Sequence, residues 1–267
     1  MPVPSLALRE TLLAAQVLDD VDLEIHDDGV LLTDGSPIPI RWSSLLAAAG
    51  GAPLGSSRAR HRIVAWLRLR RQVADFPAAM LFEQCRALGL PTGHVLNPGR
   101  GWVHSQVLGD ALVLGIGVLG LDAGRPDDVA VVPASIWRSA RINPVRLWEL
   151  CQPHLERMGG LAAVRWRRDG ENVIRPMGGC DVVTLLGSRS LRAALVRDAG
   201  GMRPVAAPMR TRGWTALTQS DPAFTMAAAE ATEPAERGFQ RPILVTLDEV
   251  VLATDTPPPT IGTLGAA

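Results

Sequence analysis

The stretch DVVTLLGSRSLRAALVRDAGGMRPVAAP, residues 181–208, decides the fold class. Its apolar runs at 181–186 and 204–208 are typical of buried strands, whereas residues 191–198 carry good helix formers at helical spacing. The intervening GSRS is a turn. The order strand, turn, helix and strand predicts a sheet with helices packed on it.

On the N-terminal side of this stretch, residues 163–168 and 172–175 flank Asp169-Gly170 and predict a β-hairpin. Before the hairpin, Asn143 and Pro144 are a good N-cap and first-turn pair. They predict a helix that ends near Met158, just before Gly159-Gly160.

The N-terminal third is mainly helical in pattern. Residues 6–18 predict a helix, and residues 22–42 predict a small β-meander with Asp-Gly turns. A third segment, 58–74, again has helical spacing. The fold class expected for the chain is therefore mixed α+β, with a helical N-terminal third and a small meander, then a mixed sheet with flanking helices.

The organisation predicted from these elements has three parts. Residues 1–90 form a mainly helical segment with the short meander, residues 91–255 form a mixed-sheet α/β domain, and residues 256–267 form a disordered tail. The alternative is one continuous domain over residues 1–255.

Arginine supplies all 27 basic side chains, because the chain contains no lysine. Enzymes that need a lysine Schiff base, a phosphate-loop lysine or a lysine general base are therefore excluded. Arginine stays charged and binds carboxylates and phosphates through a rigid fork of donors. The composition thus favours an anionic ligand.

Other features of composition indicate where the protein resides. No apolar run reaches the roughly 18 residues of a membrane span, and Glu10 interrupts the region where a signal peptide would be apolar. The three cysteines Cys85, Cys151 and Cys180 are too far apart in sequence to predict a disulfide framework or a zinc motif. We expect a cytoplasmic protein with no transmembrane segment, no metal and no cofactor.

Charge is distributed in blocks along the chain. Residues 1–34 carry a net charge of −7 and residues 35–74 carry +7, while residues 160–215 carry +6 and residues 216–267 carry −5. Either a basic block binds a polyanion such as nucleic acid or an acidic membrane surface, or neighbouring blocks neutralise each other within the fold.

Two groups of residues are predicted to bind an anion. The turn Ser188-Arg189-Ser190 precedes a helix, where free backbone N–H groups and the helix dipole favour negative charge, although a serine there can simply be the N-cap. The second group consists of Arg165, Arg167, Arg210 and Arg212. Each pair is spaced by two on a segment predicted to be extended, so the four predict a cradle. The alternative is that each pair is a solvated face or meets the acidic C-terminal block.

The helix predicted at residues 58–74 is the candidate for nucleic acid. Its apolar stripe is expected to be buried and consists of Ile63, Trp66, Leu67 and Val73. Arg60, Arg68 and Arg71 are expected to face outward. The alternative is that these arginines meet acidic residues of the same chain.

Catalytic residues are less clearly indicated. His94 and His104 flank a predicted turn, with Asp110 nearby, which allows an acid–base site; the alternative is two structural histidines. Cys180 could act as a nucleophile only beside a base, and is otherwise a small buried residue.

A dinucleotide-binding string, Gly115-x-Gly117-x-x-Gly120, also occurs. In that fold a helix begins directly after the glycines, but residues 121–128 (LDAGRPDD) cannot start one. The string therefore predicts a glycine-containing strand.

Four stretches resemble uncharacterised conserved proteins of high-GC actinobacteria. They are DVVTLLGSRSLRAALVRDAGGMRPVAAPMRTRGW, SDPAFTMAAAEATEPAERGFQRPILVTLDEV, GLPTGHVLNPGRGW and LGDALVLGIGVLGL. The resemblance implies one family origin for residues 60–255 and an actinobacterial source, and it implies no catalytic residue.

Three functions are compatible with these observations. The first is a non-enzymatic binding or accessory protein that contacts an anionic small molecule or nucleic acid through arginines. The second is an enzyme acting on a phosphorylated or carboxylated metabolite, with the serine turn holding the anion. The third is a subunit of a larger assembly, with a protein partner.

Overall fold

The computed structural model describes residues 6–94, 97, 101–102, 104–122, 126–215 and 236–253, with only the backbone described at 104 and 105. Within these residues the fold is mixed α+β, with eight helices and three antiparallel sheets, which confirms the predicted class. The helices are α1 (Leu6–Asp19), α2 (Trp42–Ala49), α3 (Ser57–Asp75), α4 (Ala78–Gln84), α5 (Ala134–Ser139), α6 (Pro144–Arg168), α7 (Val182–Leu185) and α8 (Arg189–Val196). The strands are β1 (Leu23–Ile25), β2 (Gly29–Leu32), β3 (Ile38–Arg41), β4 (Cys85–Pro91), β5 (His104–Leu108), β6 (Leu112–Leu119), β7 (Val129–Val131), β8 (Val173–Ile174), β9 (Met202–Met209), β10 (Arg212–Trp214), β11 (Ile243–Thr246) and β12 (Val250–Leu252).

The chain divides into two compact units, and each unit is formed by three separate stretches of the sequence. The first unit comprises Met1–Leu88, Val95–Gln106 and Leu114–Leu155, and the second comprises Gly89–His94, Val107–Val113 and Glu156–Ala267. A change of unit thus falls beside the predicted boundary at residue 90, but the chain later returns to the first unit. The predicted tail at 256–267 lies outside the described residues.

The predicted meander forms in the first unit. Strands β1, β2 and β3 pair in that order, and all pairings are antiparallel. The alternation of buried and exposed residues along β3 leaves Ile38 and Ile40 inside. The period-two pattern of the sequence therefore determined this sheet.

Helix α3 also forms as predicted. Ser56 is its N-cap, because the Ser56 hydroxyl accepts a hydrogen bond from the Ala59 backbone N–H at 3.2 Å. The predicted apolar stripe is buried and consists of Ile63, Trp66, Leu67 and Val73. This stripe fixes which arginines of α3 reach solvent.

Gly115 and Gly117 lie on strand β6, as the sequence predicts, and Gly120 lies in the turn after it. Any side chain at Gly115 would overlap the ring of Trp102, which is 3% exposed and donates from Nε1 to the carbonyl of Ile116 at 2.9 Å. A side chain at Gly117 would press on Val129 of the neighbouring strand. These glycines allow close packing in the first unit, and no dinucleotide-binding turn is present at 115–120.

The second unit is built on a five-stranded antiparallel sheet with the order β12-β11-β9-β10-β8. Helix α8 packs on strands β9 and β11 of this sheet. The buried residues between them include Leu191, Leu195, Val205, Ile243 and Val245. The strand predicted at 204–208 and the helix predicted at 191–198 are both present.

Two secondary-structure predictions in the second unit are wrong. Residues 163–168 are the end of helix α6, not a strand, because α6 continues through Gly159 and Gly160. Residues 181–186 contain helix α7, whose N-cap Asp181 accepts from the Thr184 N–H at 2.7 Å. A short apolar run that is buried on all sides does not distinguish a strand from a helix.

None of the helices, within the described ranges, is long and apolar enough to cross a membrane.

Candidate functional site

The anion site predicted at the start of α8 is filled by a carboxylate of the chain itself. Glu156 of α6 accepts hydrogen bonds from the Arg189 N–H at 2.9 Å, the Ser190 N–H at 3.0 Å, the Ser190 hydroxyl at 2.8 Å and the Ser188 hydroxyl at 3.0 Å. Ser188 is also the N-cap of the helix. The geometry is that of an anion at a helix N-terminus, with Glu156 as the anion.

The electrostatics of this contact agree with its geometry. Burial raises the pKa of the Glu156 carboxyl, but hydrogen bonds from the Ser190 and Arg189 backbone and from both hydroxyls outweigh burial, so the pKa lies below its ordinary value of 4.5. The side chain of Arg189 reaches Asp248 at 3.2 Å. The backbone N–H groups and the arginine of the predicted turn are therefore already paired with carboxylates of the chain.

The predicted four-arginine cradle does not have the required geometry. Because residues 163–168 are helical, Arg165 and Arg167 lie about 200° apart around α6 and share no face. Arg165 lies 3.6 Å from Asp169, which Arg168 and Arg175 also approach. In the other pair, Arg212 stacks over the Trp214 ring at 5.1 Å, and the Arg210 carbonyl accepts from the Val182 N–H.

The arginines predicted to bind nucleic acid are held by groups of the first unit. Arg60 lies 3.0 Å from Asp19, and Arg68 donates to the Asp19 carbonyl at 2.8 Å. Arg71 is 7% exposed and lies 2.9 Å from Asp34, so its predicted outward position is wrong. Asp19 and Asp34 belong to the acidic block and the arginines to the basic block, which favours neutralisation within the fold.

The three catalytic candidates have different surroundings. Cys180 is 1% exposed and is tied to Met177 by two backbone hydrogen bonds, so it is a buried structural position. The side chain of His104 lies outside the described part of the structure. His94 lines a cleft of the second unit.

The cleft has a volume of about 300 Å³, at the lower end for a small-molecule site. Three segments enclose it: residues 91–94 at the end of β4, residues 110–111 between β5 and β6, and residues 238–241 before β11. Leu252 of β12 completes the wall. The cleft therefore lies where the ends of several strands meet.

Hydrogen bonds hold residues 91–94, residues 110–111 and strand β12 together. The Thr92 N–H donates to the Ala111 carbonyl at 2.9 Å, and the Ala111 N–H donates to the Val250 carbonyl at 3.2 Å. Asp110 is anchored through its Oδ1, which accepts from the Leu252 N–H at 3.1 Å. The tight turn before Asp110 uses Gly109 at φ +60°. A site fixed by the backbone is preorganised for binding.

The cleft combines opposite charges with apolar walls. Arg241 and Gln240 are exposed, and among the described residues Arg241 forms no ion pair. Asp110 is exposed on the opposite segment. Phe239 and Leu252 supply apolar surface. Such a mixture suits a small molecule with one anionic group and an apolar part.

Sequence reasoning found only part of this cleft. The predicted acid–base site paired His94 with His104 and had Asp110 nearby in sequence; of these residues, His94 and Asp110 line the cleft. Arg241, Gln240 and Phe239 were missed, because they are more than 100 residues away in sequence and carry no motif. The one sequence feature that could have indicated Arg241 is its position directly before Pro242 and strand β11.

In the part of the chain that the structure describes, no three His, Cys, Asp or Glu side chains gather in a way that would hold a metal ion. No protein-family model, curated protein or solved structure matches this chain, and the actinobacterial resemblance therefore stays a prediction.

Proposed function

We propose that this chain is a non-enzymatic binding protein that holds a small anionic molecule, a carboxylate or a phosphate ester, in the cleft lined by Arg241. The observation that carries the proposal is an exposed guanidinium, without an ion pair among the described residues, at a cavity of about 300 Å³. A guanidinium in this position has donors available for a two-point contact with an oxyanion.

Three arginines of the sites predicted from the sequence are already paired, which favours Arg241 over them. Arg60, Arg71 and Arg189 each lie within 3.2 Å of a carboxylate of the same chain. An added anion would have to displace those carboxylates, whereas binding at Arg241 displaces none of the carboxylates that the structure describes. The ligand's apolar part would contact Phe239 and Leu252.

Binding is tested by calorimetry with inorganic phosphate, glycerol phosphate and a dicarboxylate, with glycerol as the uncharged comparison. We expect Arg241→Gln to weaken binding of the best anion by about tenfold or more, because a hydrogen-bonded charge contributes roughly 1.5–3 kcal/mol. Arg197→Gln is the matched control, since Arg197 is exposed and lies outside the cleft. Equal affinity in the two variants, or no binding of any anion, would contradict the proposal.

The alternative is an enzyme acting on the same class of molecule, and it is favoured by the presence of His94 and Asp110 in one cleft. These residues would act as acid and base on a ligand that Arg241 holds. Turnover of a bound phosphate ester or carboxylate that is lost in His94→Asn, with binding kept, would favour the enzyme. Bound but unchanged ligand would favour the binding protein.

Nucleic acid is the less supported anionic partner. Arg60 and Arg71 of α3 are paired with Asp19 and Asp34, which removes most of the predicted basic face. If the protein were retained on heparin at low salt and released at high salt, nucleic acid would again be supported as a partner.

A further inference from the structure

Two cysteines that are distant in sequence come into contact in the core of the first unit. Cys85, at the start of β4, and Cys151, in α6, are 66 residues apart, yet their Sγ atoms lie 3.1 Å from each other. Cys85 is 4% exposed and Cys151 is 1% exposed. Both are free thiols in the structure. Because the two cysteines are far apart in sequence, the sequence did not predict that they are neighbours.

The two thiols are not equivalent. The Cys151 S–H donates to the Cys85 sulfur. This hydrogen bond raises the pKa of the Cys151 thiol above its ordinary value, burial raises it further, and the charge of Arg86 only partly opposes both. Cys151 therefore holds its proton. Cys85 is the acceptor of this hydrogen bond and the more exposed of the two cysteines, at 4% against 1%, so we take Cys85 as the sulfur that reacts first.

We propose that Cys85 and Cys151 form a reversible intramolecular disulfide when a peroxide reaches them. The Cys85 thiolate attacks one peroxide oxygen and breaks the O–O bond, giving a sulfenic acid and hydroxide, which takes up a proton to become water. Cys151 then attacks the Cys85 sulfur, and the sulfenic oxygen leaves as a second water. The two thiols lose two electrons and two protons, and the peroxide is reduced.

The positions of the two residues allow the short movement that a bond requires. An S–S bond is about 2.05 Å long, so the sulfurs must approach by about 1 Å. Cys85 is the residue at which helix α4 ends. Cys151 lies two residues before Pro153, which has no N–H to donate to the Glu149 carbonyl. The helix is held less firmly there than in an uninterrupted helix.

The test is mass spectrometry of the full-length protein after exposure to hydrogen peroxide. The quenched sample is denatured and alkylated, which counts the remaining thiols. We expect a mass about 2 Da lower before alkylation, one alkylated cysteine, which is Cys180, and a cross-linked peptide pair. Dithiothreitol should restore all three thiols.

Stability gives a second measurement on the same sample. The cross-link closes a loop of 66 residues, so the unfolded chain loses conformational freedom and Tm should rise by about 5 °C or more. Cys180→Ser should behave like the wild type. Cys85→Ser and Cys151→Ser should each show neither the mass loss nor the rise in Tm.

Three results would overturn the proposal. The first is three alkylated cysteines after peroxide treatment, which means that no bond forms. The second is Cys85 as a sulfinic acid without a cross-link, which means that Cys151 does not resolve the sulfenic acid. The third is a cross-link that includes Cys180.

Discussion

Replacing Glu156 with alanine is expected to lower the free energy of unfolding by about 2–4 kcal/mol. The carboxylate accepts hydrogen bonds from two hydroxyls and two backbone N–H groups at the start of α8, all between 2.8 and 3.0 Å. In the variant these donors lose a charged acceptor, and Ser188 is fully buried. Urea denaturation of wild type and variant measures the difference.

Glu149→Ala is the matched control for this prediction. Glu149 lies on the same helix, α6, but is exposed. Its removal should change the free energy of unfolding by less than about 0.5 kcal/mol. If the two variants were equally stable, Glu156 would not be the acceptor that neutralises the start of α8.

The same carboxylate predicts how stability depends on pH. The pKa of folded Glu156 is below 4.5, so its contribution is complete above the pKa of the unfolded state and is lost as pH falls through the lower folded pKa. Glu156→Gln has no such titration. The advantage of wild type over Glu156→Gln should therefore be largest near neutral pH and shrink below about pH 4. An advantage that stays constant down to about pH 3 would mean that Glu156 is not stabilised as an anion.

This contact also explains why the sequence misplaced the end of α6. Gly159-Gly160 weakens a helix by roughly 1 kcal/mol per glycine relative to alanine, so a break there was the reasonable local prediction. In the structure, a side chain at Gly159 would overlap the Ser188 side chain. The glycine lets α6 approach the start of α8 closely enough for Glu156 to bind. Tertiary packing overrides helix propensity here, and no local pattern reveals it.

The elements that the sequence predicts correctly are those whose pattern lies within the element itself and its flanking turns. The meander at β1 to β3 follows from period-two alternation and Asp-Gly turns, and α3 follows from a serine cap and an apolar stripe. The cleft is different in kind. Arg241 and His94 line one cleft only because the fold of the second unit brings residues 238–241 near residues 91–94. Pairings over more than 100 residues depend on topology, which one sequence does not specify.

The charge blocks lie between these cases. The sequence allowed either an exposed basic face or internal pairing. Asp34 with Arg71 and Asp248 with Arg189 join acidic to basic blocks at 2.9 and 3.2 Å. The charge of a block predicts only that its partner carries the opposite charge. Whether that partner lies in the same chain depends on the fold.

Gly115→Ala should destabilise the protein by about 2–3 kcal/mol, although it adds only one methyl group. The new Cβ would overlap the ring of Trp102, which is 3% exposed and fixed by its hydrogen bond to the Ile116 carbonyl. A rigid buried ring cannot turn aside as a flexible side chain does, so strand β6 or the indole must move. Urea denaturation measures the loss of stability, and near-ultraviolet circular dichroism reports the displacement of the tryptophan.

Gly160→Ala is the control that separates this crowding from the general effect of replacing glycine. An added Cβ at Gly160, inside helix α6, meets no atom within 4 Å. There the substitution should stabilise the protein by up to about 1 kcal/mol, because alanine favours the helix. Opposite signs for the two substitutions would show that the glycine at position 115 is required for packing against Trp102. A neutral Gly115→Ala would instead return the glycine string at 115–120 to consideration as a site where a ligand approaches the backbone.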